Sequence, residues 1–522
     1  SSSQNGVLCY GYDGEIYLFE NGNSKKVNIS VLADHSENNV SPISVNGNVS
    51  EYSLSPNGKE IAFVYRGEIY VSAVAHSTTR RITNTPQQER SVSFSPDGRK
   101  LVYAAERAQS WDIYESSITN SGEKYFYNCT QITEKALSTR PEEEFQPAYS
   151  PDGKSVAFLE ERTTLRVMDL TTGKIVTAME GSYNYSYSDG DQYYTWSPDS
   201  KWLLVEFFEY DRWVSNVGLV SAQGGKKPIN LSKSGYGNGS PKFAMGGEMV
   251  CWTTDKFGYR SHGSWGAEGD VEAIFLTREA WRKYKASKSE SEYESELEKE
   301  KQKPEEKSAE TSAKDKKATE SKDKKEEVKP LVIDEEGLQD RRTRLTVHSS
   351  HLGDYLLNKD ATQLFYMTSY EKGFDIWTTK FKDGETKLLA KVGGSPSAMT
   401  FDKEEKFIFF TKNGQLMKVE ISNGAITPIT VESQFEHRPA DERAYMFEHA
   451  WRQTKKKFYL ADLHGVDWDF YKKEYGKHLY HINNGYDFAE LLAELLGEIN
   501  ASHTGATYRY YDPNGDQTSS LG

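Results

Sequence analysis

The sequence predicts a mainly β protein: a seven-bladed β-propeller followed by a small α-helical domain. Three observations carry this expectation. A Ser-Pro-Asp-Gly turn recurs in fixed hydrophobic register, the composition favours short strands, and the hydrophobic period changes from 2 to 3.6 after residue 432. Aromatic residues make up 13% of the 522 positions, with 33 tyrosines and 40 glycines spread along the chain, a mix that suits many strands joined by tight turns.

The repeat is read first, because a missed repeat misassigns the whole fold. "YSLSPNGKEIAFVYRGEIYV" (52–71) recurs as "VSFSPDGRKLVYAAERAQSWDIYESSI" (92–118), "PAYSPDGKSVAFLEERTTLRVMDL" (147–170) and "YTWSPDSKWLLVEFFEYDRWVSNVGLV" (194–220). Three further copies, at 242–255, 355–381 and 398–421, keep the hydrophobic register and lose the turn letters. Aligned on the turn, the anchors are Ser55, Ser95, Ser150, Ser197, Phe243, Asn358 and Phe401. They step by about 40–55 residues, provided the long gap between Phe243 and Asn358 holds an insertion.

Within a unit, Pro presets φ for the second turn position, Asp tolerates the third, and Gly supplies the positive φ that follows. Runs such as Lys100-Leu101-Val102-Tyr103-Ala104 then start a strand, and "DIYESSI" alternates like the next. Four short strands per unit is the pattern of a propeller blade, and seven units complete a ring over 46–432. A β-sandwich or a pair of barrels also has short, evenly spaced strands, but a turn motif in fixed register is hard to obtain from either. Residues 1–45 read as outer strands of a further blade, which either close this ring or belong to a preceding propeller. The insertion at 285–330 is almost wholly charged, Ser, Thr or Ala. It is expected to be disordered or a transient solvated helix, because it cannot bury enough apolar surface to offset the entropy of ordering.

From 433 to 522 the pattern turns helical. "PADERAYMFEHAWRQTKKKFY" places Phe447, Ala450, Trp451 and Phe458 on one stripe, with Pro439, Asp441 and Glu442 at its start. Asp467 is positioned to cap a short helix in "HGVDWDFYKKEYGKHL", and Asp487 with Glu490 has capping-box spacing at the head of "DFAELLAELLGEI". Phe488, Leu491, Leu492, Leu495 and Ile499 form the buried face of that helix, and "HTGATYRYYD" after it reads as a strand.

A formal net charge of -14 argues against nucleic acid as a partner. Three separated cysteines (Cys9, Cys129, Cys251) form neither a disulfide framework nor a CxxC metal site, and no cofactor or metal is expected. No run of about 18 apolar residues is present, so no membrane span is expected. The opening residues lack an initiator Met and a signal-peptide pattern, so the natural N-terminus is expected to lie upstream.

The propeller repeats, "HGVDWDFY" (464–471) and "GEINASHTG" (497–505) together resemble the tricorn protease family of serine peptidases. "RSHGSWGAEGDVEAIFLTREAW" and "DEEGLQDRRTRLT" are similar to that family's long-inserted blade. The resemblance implies a six-bladed propeller, a seven-bladed propeller, a helical core domain, a PDZ domain and a second core domain, in that order. It also implies a catalytic role for the Ser-His pair: His503 as general base and Ser502 as the hydroxyl that orients it through a relay to a carboxylate. The nucleophilic Ser and the relay Glu are expected in a later domain outside this chain, which alone would be inactive. Oligopeptide substrates and a homo-hexamer follow from the same resemblance. So does a cytoplasmic location, with an exported, periplasmic one as the alternative.

Judged as a dipeptide, Ser502-His503 also suits a plain helix end, where a histidine complements the last carbonyls. His464, His478 and His481 are close enough in sequence for a metal site to be conceivable, but no carboxylate completes a pattern. The competing function is a non-catalytic propeller platform for protein partners, which has no need of the helical tail. A prolyl-oligopeptidase type is disfavoured, since no G-x-S-x-G pentapeptide occurs.

Overall fold

The computed structural model describes residues 5–509 apart from 13, 31–38, 187, 189–190, 210–213, 263–265, 295, 298–327 and 371. The chain divides into two compact units, one of Ile43–Phe435 and one of Ser1–Pro42 with Glu436–Gly522.

In the larger unit the described strands form seven four-stranded antiparallel sheets, each a meander of four strands in chain order. The first runs from Val49–Leu54 to Thr79–Arg81 and the last from Pro396–Phe401 to Ile426–Pro428. The turn motif builds the first hairpin of a sheet through its side chains. Ser95 Oγ donates to Asp97 Oδ1 at 2.5 Å and accepts from the Lys100 amide at 2.9 Å, while Asp97 Oδ1 also takes the Arg99 amide. Gly98 follows at φ +71°. The same bonds recur at Ser55 with Asn57, Ser150 with Asp152 and Ser197 with Asp199. Where the Ser is lost, one longer side chain does both jobs. Asn358 Oδ1 accepts from the Thr362 and Gln363 amides, and Asp402 Oδ1 from those of Lys406 and Phe407. Two of the three weak copies, at 355–381 and 398–421, therefore keep the turn with different letters.

Hydrophobic clusters join one sheet to another. Val49, Ile61, Phe63 and Tyr70 of the first sheet share a buried cluster with Phe409 and Leu416 of the last. Three tyrosines, each three residues before a turn anchor, tie sheets through carbonyls. The Tyr52 hydroxyl shares its proton between the oxygens of Ala398 (2.6 Å) and Phe409 (2.9 Å). Tyr355 does so with Ser240 and Cys251, both at 2.8 Å, and Tyr194 with Gln146 and Ala157.

The helix α1 (Arg278–Lys285) lies in the insertion-bearing sheet; Thr277 caps it by accepting from the Ala280 amide, and Trp281 and Tyr284 pack on Phe275. Residues 288–294 are helical as well, whereas 298–327, on which most of the expected disorder falls, lie outside the described residues.

In the smaller unit, Leu8–Tyr12, Glu15–Glu20 and Asn23–Lys26 form a three-stranded antiparallel sheet. Three helices follow in the C-terminal part: α2 (Pro439–Lys457), α3 (Trp468–Gly476) and α4 (Gly485–Gly497). They enclose Phe447, Leu463, Trp468, Ile482, Phe488, Leu491, Leu495 and Ile499. Trp451 and Trp468 exchange indole N–H bonds to each other's carbonyls at 2.9 and 3.0 Å, which fixes α2 against α3. Pro439 opens α2 and Asp467 caps α3 by accepting from the Phe470 amide, as expected from the sequence.

Two local expectations are corrected. The cap of α4 is Asn484, three residues earlier than Asp487. Asn484 has extended backbone (φ -140°, ψ 166°) and its Oδ1 accepts from the Asp487 backbone amide at 2.9 Å, while its side-chain Nδ2 donates to the Asp487 carboxylate. Asp487, at the third helical position, thus meets the cap through its amide and its carboxylate, but the carboxylate takes the Asn484 side-chain N–H and not the backbone N–H of a capping box. After Asn500, residues 501–509 form no strand, because Asn500 and His503 take positive φ (+52° and +62°) and break the extended run.

Candidate functional site

The predicted pair lies at the exit of α4. Leu495 and Ile499 are fully buried and end the apolar face of the helix. The Asn500 amide donates to the Gly497 carbonyl at 2.9 Å and the Thr504 hydroxyl to that of Ala501, which winds residues 500–504 into a turn. Ser502 and His503 both stand exposed on it. Among the described residues neither side chain makes a hydrogen bond or ion pair, so the two are neighbours in the chain without a bond between the Ser502 hydroxyl and the His503 ring. An exposed imidazole on a locked backbone turn can accept a proton from a hydroxyl brought to it, and its reach is set by the backbone rather than by side-chain packing.

The turn is tied to the rest of its unit by residues that the sequence reading did not assign to the site. Tyr475 of α3 donates to Glu498 at 2.6 Å. Burial and this carboxylate push the Tyr475 phenol well up. His464 Nδ1 is 2.9 Å from the Ile499 carbonyl. The Tyr508 ring sits over Gly485, where a Cβ would come within 2.6 Å of it, and stacks edge-on to Tyr486. In the sequence His464 stood out only through the "HGVDWDFY" resemblance and as a metal-ligand candidate, and nothing local pointed to Tyr475. The three histidines weighed as metal ligands do not converge. His464 is engaged as above, His481 packs against Tyr480, and no group of three or more His, Cys, Asp or Glu among the described residues is arranged to hold a metal.

Two cavities of the larger unit, about 670 Å³ each, are both lined by Ala398, Met399 and Thr400 on the first strand of the last sheet. One adds Glu51 and Tyr52 from the first sheet, the other Tyr193, Lys242 and Asp354. Lys242 Nζ donates to Asp354 Oδ1 and to the Tyr355 carbonyl, both at 2.6 Å, and Asp354 Oδ2 accepts from the Met399 amide. The walls are thus first strands of several sheets, cross-linked by one ion pair and carrying polar groups. No helix among the described residues is long and apolar enough to cross a membrane.

Two family descriptions match the chain: the tricorn protease C1 domain over residues 439–497, and the dipeptidyl peptidase IV N-terminal region over residues 24–116. Among solved structures, the tricorn protease superposes with a TM-score of 0.67 at 13% identity, covering 96% of this chain and 46% of that one. The chain thus spans about half the length of that protein. A structure from a study of two prolyl endopeptidases aligns at a TM-score of 0.43 and 12% identity, over 76% of this chain and 51% of that one. A putative TolB from Agrobacterium tumefaciens aligns at 0.33 and 17%, over 44% and 78%. No curated protein matches in sequence. In fold, and in the segment that carries α2 to α4, the chain is tricorn-like.

Proposed function

We propose that this tricorn-like chain is part of a serine peptidase that degrades short unfolded oligopeptides, with His503 as general base for a serine outside this sequence. On this reading the seven sheets form a seven-bladed propeller over 46–432, and 433–522 is the helical core domain. Residues 1–45 are outer strands of a preceding propeller blade or a ring-closing segment. The reading is supported by the C1 match over 439–497 and, directly after it, an exposed histidine on a backbone-locked turn. That placement carries the proposal, because a base that waits for a partner domain has to be rigid and uncovered.

The chemistry is proton transfer. The imidazole takes the proton of the attacking hydroxyl and later returns it to the leaving amine, and the Ser502 hydroxyl relays orientation from a glutamate outside this sequence. The propeller's central space, with walls like those of the two cavities described above, admits an extended peptide and excludes folded protein. Such an enzyme has no need of a cofactor, and this chain by itself is inactive. Its assembly is a homo-oligomer, a hexamer by resemblance.

The test is to express the uninterrupted parent chain as wild type and as His503→Ala, and to read the products of short unstructured peptides by mass spectrometry. The expected result is cleavage by the wild type and a loss of about 10³-fold or more in the folded variant. Equal cleavage by both, or none by either, would leave Ser502-His503 a helix end and make the propeller a binding platform.

A further inference from the structure

His464 is held at both ring nitrogens. Nδ1 lies 2.9 Å from the Ile499 carbonyl and Nε2 2.5 Å from the Tyr459 hydroxyl. A carbonyl only accepts, so Nδ1 carries the proton. In the neutral ring Nε2 is then the acceptor and the Tyr459 hydroxyl donates. Phe458 meets the ring edge-on at 5.1 Å. The backbone beneath it is unusual. Leu463 and His464 both have left-handed φ, +50° and +59°, although neither is glycine, and Leu463 is anchored in the core. Consecutive residues of this kind persist only where the surroundings over-determine them.

The accepting carbonyl belongs to a buried residue just beyond the last turn of α4, three residues before Ser502. Tyr475 holds the neighbouring Glu498, and Tyr508 holds the far end of the returning segment on Gly485. The turn 500–504 is thus fixed at both ends, and His464 is the hold nearest to His503 on its N-terminal side. We propose that His464 is a positioning residue: by donating from Nδ1 to the Ile499 carbonyl, it sets the direction in which the turn presents His503. This rests on the reading of His503 as a general base.

The test separates the hydrogen bond from the backbone conformation. His464→Gly and His464→Asn both accept positive φ, but only Asn places an amide N–H where Nδ1 stands. In the parent chain, His464→Gly is expected to lower kcat by about 30-fold with KM changed by no more than about twofold, since small misplacements of a base cost rate rather than binding. His464→Asn is expected to restore kcat to within about threefold of wild type, with both variants unfolding at the same temperature. A Gly variant as fast as wild type, or an Asn variant as slow as Gly, overturns the proposal.

Two readouts are independent of activity. Nitrogen-15 spectra of this chain are expected to show His464 protonated at Nδ1, and a ring protonated only at Nε2 overturns the proposal. Exchange of the Asn500 amide, bonded to the Gly497 carbonyl at 2.9 Å, is expected to quicken in the Gly variant and recover in the Asn variant; unchanged exchange overturns the proposal. If the parent chain proves inert, or His503→Ala is as active as wild type, the peptidase reading fails. The exchange measurement then decides by itself whether His464 holds the turn.

Discussion

The Tyr52 hydroxyl lies 2.6 Å from the carbonyl oxygen of Ala398, 346 residues away in sequence. It joins the first strand of the first sheet to the first strand of the last, and Tyr194 and Tyr355 make the corresponding bond between other pairs of sheets. The device belongs to the repeat: each tyrosine precedes its turn anchor, Ser55, Ser197 or Asn358, by three positions. A contact between neighbouring sheets is written locally, even though its partner is distant.

Removing that hydroxyl leaves two carbonyls short of a donor. Tyr52→Phe is expected to lower the stability of the larger unit by about 1–2 kcal/mol, read as a shift in the urea midpoint with unchanged slope. Tyr355→Phe is expected to cost a similar amount, and the two losses should add, since the residues share no hydrogen-bond partner.

Glu144 is fully buried, and burial pushes its carboxyl up to about 7 against the opposing pull of Ser138 and Arg140. A folded-state value above the unfolded one means that the folded protein binds the proton more tightly. This contribution is complete below about pH 4.3 and is lost as pH rises through about 7. Between pH 5.5 and 7.5 the wild type is therefore expected to lose stability at this site. Glu144→Gln, which mimics the protonated form, should flatten the decline by about 1 kcal/mol or more, read from urea unfolding at the two pH values.

The cap of α4 gives a sharp comparison. Asn484→Ala removes the acceptor of the Asp487 amide and should cost about 1 kcal/mol in the smaller unit. Glu490→Ala, at the position that sequence spacing alone assigned to the capping box, should cost only a few tenths. Equal losses in urea unfolding would contradict the cap described here.

Gly485→Ala tests the far tether of the site. The added Cβ meets the Tyr508 ring at 2.6 Å, and that ring, 43% exposed, can swing away. The thermal midpoint is expected to hold or rise slightly, because Ala is the better helix former by up to about 1 kcal/mol. Nitrogen-15 order parameters over 501–508 should fall nonetheless. An equally ordered segment in a stable variant would show that Tyr508 does not hold it.

Much of the architecture was legible because it repeats. The Ser-Pro-Asp-Gly letters foretold turns whose side-chain bonds recur at Ser55, Ser95, Ser150 and Ser197, and the change of period foretold the helices α2 to α4. The failures share a cause. Capping depends on which residue leaves the helical region first, and Asn484 and Asp487 are both chemically suited, so spacing alone could not choose between them. The alternation in "HTGATYRYYD" resembles a strand, but a strand needs a partner, and here the segment packs Tyr508 back onto Gly485 instead.

By itself the sequence determined what is settled within a few residues: the turn chemistry of each repeat, the strand and helix periods, the start of α2 at Pro439 and the cap of α3 at Asp467. It also marked Ser502 and His503 as the pair to examine. Only the tertiary structure decided which carbonyl Tyr52 would find, and that His464 would reach Ile499, 35 residues on, rather than a metal. Local preferences act through a residue's own dihedrals and its near neighbours. The partner of a side chain across a fold is chosen by the packing of every element between them, and no periodicity records that choice.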